Sequence, residues 1–165
     1  MSKKSRPQRR GNCRSKASDG GHTPAGPTPM PPRTTDWKAR LVDYLAGSVA
    51  TPFACGTFDC ATFTFAAVAV MTGHDLAAPY RDRYSTIADG IALLRQDGFR
   101  DHVDLVAAHF AEMAPAFAQA GDIAVLDGAD GAALGLVQGE HIYALLPTGM
   151  ALVPLLSARR AFRVA

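Results

Sequence analysis

Between Asp59 and Gly73 the chain runs Cys60-Ala61-Thr62-Phe63-Thr64-Phe65-Ala66-Ala67-Val68-Ala69-Val70-Met71-Thr72, with no charge and no polar face. A helix of that composition cannot lie on a surface, so the rest of the chain has to enclose it. Asp59 is a suitable N-cap and Gly73 a suitable left-handed stop, which predicts a central, buried helix with Cys60 in its first turn. A thiol there feels unpaired backbone N–H groups and the positive end of the helix dipole, both of which favour thiolate. Cys60 is therefore the candidate nucleophile, and Asp59 stands beside it as a candidate binding group whose carboxylate pulls the thiol pKa back up.

The enclosing elements follow from periodicity. Trp37, Leu41, Tyr44 and Leu45 recur at helical spacing, predicting a first helix that ends near Gly47. Ser85 can cap a third helix carrying Ile87, Ile91 and Leu94, closed by Gly98, and Asp101 can cap a fourth through Val103, Leu105, Val106 and Phe110. From Gly121 the period changes to short runs at 123–127, 132–138, 140–146, 150–154 and 161–164, separated by turn residues. Helices followed by an antiparallel meander make an α+β domain over 36–165.

Charge is divided unevenly. Residues 1–35 hold eight basic side chains against the single acid Asp19; with 17 basic and 15 acidic residues in the whole chain, 9 against 14 remain, about −5 for the folded part. Nucleic acid is thus an unsuitable partner for the domain. Residues 1–35 are rich in Pro, Gly and Ser, bury little, and are expected to be a disordered basic extension; Met30 offers an alternative start that would leave residues 1–29 outside the protein. No apolar stretch long enough to span a membrane occurs and no secretory h-region follows the basic residues, so a soluble, cytoplasmically made protein is expected.

The remaining chemistry-bearing residues permit more than one reading. Gly121-Asp122 before a strand suits a binding carboxylate or a plain turn. Arg81, Arg83 and Tyr84 can meet a polyanionic or glycan ligand beside a cleft, or the arginines can pair with Asp82 or Asp89. Arg159, Arg160 and Arg163 read as partner-docking groups or as charges on an edge strand. His141 shares a strand face with Tyr143 and is the candidate base, whereas His74 reads as a surface loop residue and His102 and His109 as exposed or half-buried positions on the fourth helix. Cys55 and Cys60 have no companion Cys or His pair, so neither a metal nor a cofactor is expected, and Cys60 can equally be a small core residue.

The helix-borne Asp59-Cys60, the Gly121-Asp122 that opens a strand and the turn-linked strand after it resemble NlpC-type cell-wall peptidases, which have a papain-like fold. The stretch from Trp37 to Val164 resembles more closely a family of short proteins of unknown function encoded among the tail genes of phages, prophages and gene-transfer agents of alphaproteobacteria. Its carrying residues are Pro52-Phe53-Ala54-Cys55-Gly56, Asp59-Cys60, Met71-Thr72-Gly73, Arg81-Asp82-Arg83-Tyr84, Gly121-Asp122, Ala133-Leu134-Gly135, Val153-Pro154-Leu155 and Arg160-Ala161-Phe162-Arg163-Val164. The resemblance implies a papain-like α+β domain with a role in the phage tail or tail tip, whose partners are other tail proteins. In the peptidases a histidine on the second strand serves the cysteine, and here Ala133 occupies its place. That implies a fold kept for assembly or binding without the chemistry. The alternative is an active peptidase or amidase cleaving peptidoglycan peptides, with Cys60 as nucleophile and His141 as a non-standard base.

Overall fold

A computed structural model describes residues 29–165; residues 1–28, and with them most of the expected basic extension, Cys13 and His22, lie outside the described residues. Four helices come first: α1 (Trp37–Ser48), α2 (Cys60–Thr72), α3 (Ile87–Gln96) and α4 (His102–His109). A six-stranded antiparallel sheet follows, built from β1 (Ala111–Met113), β2 (Ile123–Gly128), β3 (Gly131–Gln138), β4 (His141–Leu146), β5 (Gly149–Pro154) and β6 (Arg160–Arg163). The α+β expectation holds, with two corrections to the strands. β1 is absent from the sequence reading, because three residues are too few to show a period. The sheet order is β1-β6-β2-β3-β4-β5, so only β2 to β5 form a meander, and β6 returns to pair with the free side of β2.

That return matters for the arginines. β6 lies inside the sheet rather than at its edge, where Arg160 forms a two-pronged pair with Glu112 of β1 at 2.8 and 2.7 Å, and Arg159 just before the strand reaches Asp127 at 2.6 Å.

α2 is as buried as its composition requires. Phe63, Ala67, Val68 and Met71 have no measurable exposure, and they meet Leu134, Leu136 and Phe162 from the sheet. Asp59 is the N-cap and Gly73 the left-handed stop. The Tyr44 ring of α1 stacks on Phe63 with centroids 5.7 Å apart, and its hydroxyl donates to the Phe63 carbonyl at 2.8 Å. α3 is capped by Thr86 rather than Ser85: the Thr86 hydroxyl accepts from the Asp89 N–H.

The strands carry continuous apolar runs because both faces of the sheet are covered. Ile123, Val125, Leu134 and Leu136 face the helices, while Ala124, Leu126, Val137, Ile142 and Ala144 face the opposite layer. Two short 3-10 turns, Pro115–Phe117 and Leu155–Ser157, flank that second layer through Ala118, Leu155 and Ala158.

The packed chain begins upstream of residue 36. The Arg33 N–H donates to the Ala165 carbonyl and the Thr34 N–H to the Met71 carbonyl, both at 2.8 Å. The Arg33 guanidinium lies 4.2 Å from the Trp37 ring centre and donates to Asp122 at 2.7 Å. Asp122 in turn accepts from the N–H groups of Gln119 and Val164. One buried carboxylate thus joins both ends of the domain to the start of β2. Gly121 is required beside it: φ is +86°, and a Cβ there would lie 2.8 Å from Met71 Sδ.

Asp122→Ala leaves the half-buried Arg33 guanidinium with only the Ala120 carbonyl and is expected to cost about 3 kcal/mol. Urea denaturation of wild type, Asp122→Ala and the double variant with Arg33→Met checks this. A loss confined to the single variant supports the clamp, and losses equal in both variants contradict it.

Candidate functional site

The site is organised by the cap of α2. The Asp59 carboxylate accepts from the N–H groups of Gly56, Ala61 and Thr62 and from the hydroxyls of Thr62 and Tyr84, at 2.6 to 3.1 Å. A charged acceptor with this many donors strongly favours one geometry. It fixes the 53–58 loop, whose Gly56 has φ +81° and accepts from the Asp82 N–H at 3.0 Å. A Cβ on Gly56 would collide with the Tyr84 carbonyl. Burial and the Asp59 charge push the Tyr84 phenol well above its ordinary range.

Beside this cap opens a cleft of about 280 Å³. Phe53 and Phe65, Ile87 and Ile91 of α3, and Leu145 and Pro147 at the end of β4 give it apolar walls, and the β2–β3 turn forms one rim. Cys60 lines it, half-buried rather than sealed. Burial raises the thiol pKa, the neighbouring Asp59 charge adds to that, and a hydrogen bond from the Leu134 backbone opposes it. The pull of the helix end toward thiolate, felt through the Cys60 and Ala61 N–H groups, is therefore outweighed by burial.

His74 lies in a loop and His102 and His109 on α4, as read from sequence, while the candidate base His141 stands away from the thiol. His141 is exposed at the β3–β4 turn, opposite Gln138. Gln138 lies four residues along β3 from Leu134, roughly 13 Å at about 3.3 Å per residue, and His141 does not line the cleft. Ala133 pairs with Leu126, and this register turns both side chains to the face away from the helices. On β3 it is Ala132 and Leu134 that look toward α2.

The imidazole that does line the cleft is His102, the first residue of α4. Its Nε2 lies 2.9 Å from the Ala132 carbonyl. A carbonyl only accepts, so Nε2 carries the proton and Nδ1 keeps its lone pair in the neutral ring. Burial pushes the His102 pKa down from the ordinary 6.5, against the upward pull of Asp101 and Asp59. Among the described residues no hydrogen bond joins Cys60 Sγ to the ring. Nothing local in the sequence marks His102, because its contact with β3 spans 30 residues.

Of the residues singled out from sequence, the cleft gathers Asp59, Cys60, Tyr84, His102 and Ala133. Arg81 forks onto Asp75, not onto Asp82 or Asp89, and Arg83 donates to the Pro79 carbonyl at 2.7 Å. Asp122 belongs to the terminal clamp. Cys55 and Cys60 are both free thiols. Among the described residues no group of His, Cys, Asp and Glu is placed to hold a metal ion, and no helix is long and apolar enough to cross a membrane.

A half-buried His102 whose pKa is pushed down makes stability depend on acid. Its folded pKa lies below the unfolded value of 6.5, so the unfolded chain binds the proton more readily and stability falls as pH drops through 6.5 toward the folded value. His102→Gln is expected to flatten this limb of a Tm-against-pH curve; an unchanged limb contradicts the burial.

No curated protein matches the chain significantly. The profile of the Domain of unknown function (DUF6950) matches residues 32–164, from the clamp arginine's neighbour to the last core residue. The chain belongs to that family.

Proposed function

We propose that this chain is a papain-like domain of the phage-tail type, acting in tail or tail-tip assembly, and that the cleft over Cys60 holds an extended segment of a partner tail protein. The observation that carries the reading is the cleft itself. It is apolar and open, and a rim tied through Asp59, Gly56 and Tyr84 is pre-organised to bind. The papain-like element of the reading is supported by a thiol at the start of a buried helix packed on an antiparallel sheet. The tail context comes from the resemblance alone.

Binding without turnover is favoured by the surroundings of the thiol. β3 presents Ala132 and Leu134 to α2 where a strand-borne histidine would be needed. The thiol is held protonated, and His141 lies at the far end of the ladder. Such a domain is made in the cytoplasm and ends in the virion tail.

Ile87 is 43% exposed on the cleft wall, so Ile87→Glu alters the cleft with little effect on folding. Co-expression with the products of the genes flanking its own tests the proposal. A tail protein that co-purifies with wild type and is lost by at least about tenfold with Ile87→Glu supports it; equal capture by both, or capture of no tail protein, overturns it.

A further inference from the structure

The two edges of the sheet are unlike. β1 is three residues long and holds Glu112, which is paired with Arg160. β5 runs for six residues, Gly149-Met150-Ala151-Leu152-Val153-Pro154, without a charge and in unbroken register with β4 from Leu146 opposite Gly149 to His141 opposite Pro154. Sheet edges are ordinarily guarded by shortness, charge, proline or a bulge. Along β5 the sole guard is Pro154, at its very end.

Register decides which backbone groups that edge offers. The turn Pro147-Thr148 makes Leu146 and Gly149 a hydrogen-bonded pair, and past the strand the Leu155 N–H donates to the Glu140 carbonyl at 2.8 Å. Gly149, Ala151, Val153 and Leu155 therefore turn their N–H and C=O groups toward β4. Residues alternating with these turn theirs the other way, so Met150 and Leu152 point N–H and C=O outward, where among the described residues no strand and no other backbone group meets them. Both side chains lie on the helix face of the sheet, opposite Leu145 and Tyr143. Met150 packs partly against the core, and Leu152 is 57% exposed.

We propose that β5 is the joint of a homodimer, in which two copies of the chain pair antiparallel about a two-fold axis at Ala151 and join their sheets into one. That axis sets Met150 opposite Leu152 of the second copy, and Leu152 opposite its Met150, so every outward N–H and C=O of these residues meets its complement. Neighbouring registers do worse. An axis at Leu152 sets Met150 opposite Pro154, which has no N–H to give, and an axis at Met150 draws on Thr148, which is held in the turn. Around Ala151 the exposed Leu152 covers the adaptable Met150 side chain across the joint. Charge selects the same occupant: the folded part is net acidic, and through an uncharged strand two such bodies meet without like charges face to face. The joint lies at the sheet edge, so it stands or falls apart from the tail-protein reading of the cleft.

The test is sedimentation velocity of the full chain over a range of concentrations. Wild type is expected to reach twice the chain mass, and Leu152→Lys, at an exposed position that folding tolerates, to raise the dimer dissociation constant by at least about tenfold. Mild oxidation of added cysteines reads the register. Ala151→Cys puts two thiols on the axis at a non-hydrogen-bonded pair, where Cα atoms lie about 4.5 Å apart and a disulfide can close. An intermolecular bond at position 151, told from the native Cys13, Cys55 and Cys60 by peptide mapping, supports the joint. Thr148→Cys, roughly 20 Å from its own copy at about 3.3 Å per residue, should stay unlinked. A wild type that keeps the mass of one chain at every concentration overturns the proposal, as does a dimer that Leu152→Lys leaves intact with the variant folded by circular dichroism. Cross-linking at position 148 in place of 151 overturns it too.

Discussion

The Asp59 carboxylate is the interaction on which the site depends. One acid caps the buried helix, holds the loop that carries Cys55 and Gly56, and receives the Tyr84 hydroxyl from a segment 25 residues away. A buried carboxylate cannot remain charged without such donors, and donors so arranged cannot be satisfied without it. The same charge raises the pKa of Cys60 next to it. Asp59 therefore frames the cleft and adds to the larger effect of burial on its thiol.

A second carboxylate sets the frame. Asp122, 2% exposed, joins the start of the packed chain, its last strand and the entry to β2. The Gly-Asp pair thus works at the seam of the domain and not in the cleft. With β6 returned to the middle of the sheet, Phe162 reaches the core against α2, and the chain ends close to where its packed part begins.

Local chemistry was legible from sequence wherever it determines its own geometry. The apolar run 60–72, its Asp59 cap and Gly73 stop define α2 without reference to anything distant. The Asp101 cap and the runs that became β2 to β5 were legible for the same reason. What failed was what depends on pairing across the fold. β1 exists only because β6 lies beside it. The resemblance places Ala133 where the peptidases have a histidine, but which face of the sheet it takes depends on register, since a one-residue difference in parity turns a strand residue to the opposite face. His102 read as an exposed or half-buried helix residue, and its contact with a β3 carbonyl is one that no local pattern connects to it.

The central claim is that Cys60 lies on the wall of an open binding cleft. It is tested most directly by the rate at which iodoacetamide labels Cys60 in the native chain, alone and saturated with a captured tail partner, with Cys55 as internal reference. The account predicts slow but measurable native labelling of Cys60 that the partner suppresses while Cys55 labelling persists. Labelling of Cys60 only after unfolding, or at the same rate with the partner bound, would contradict it.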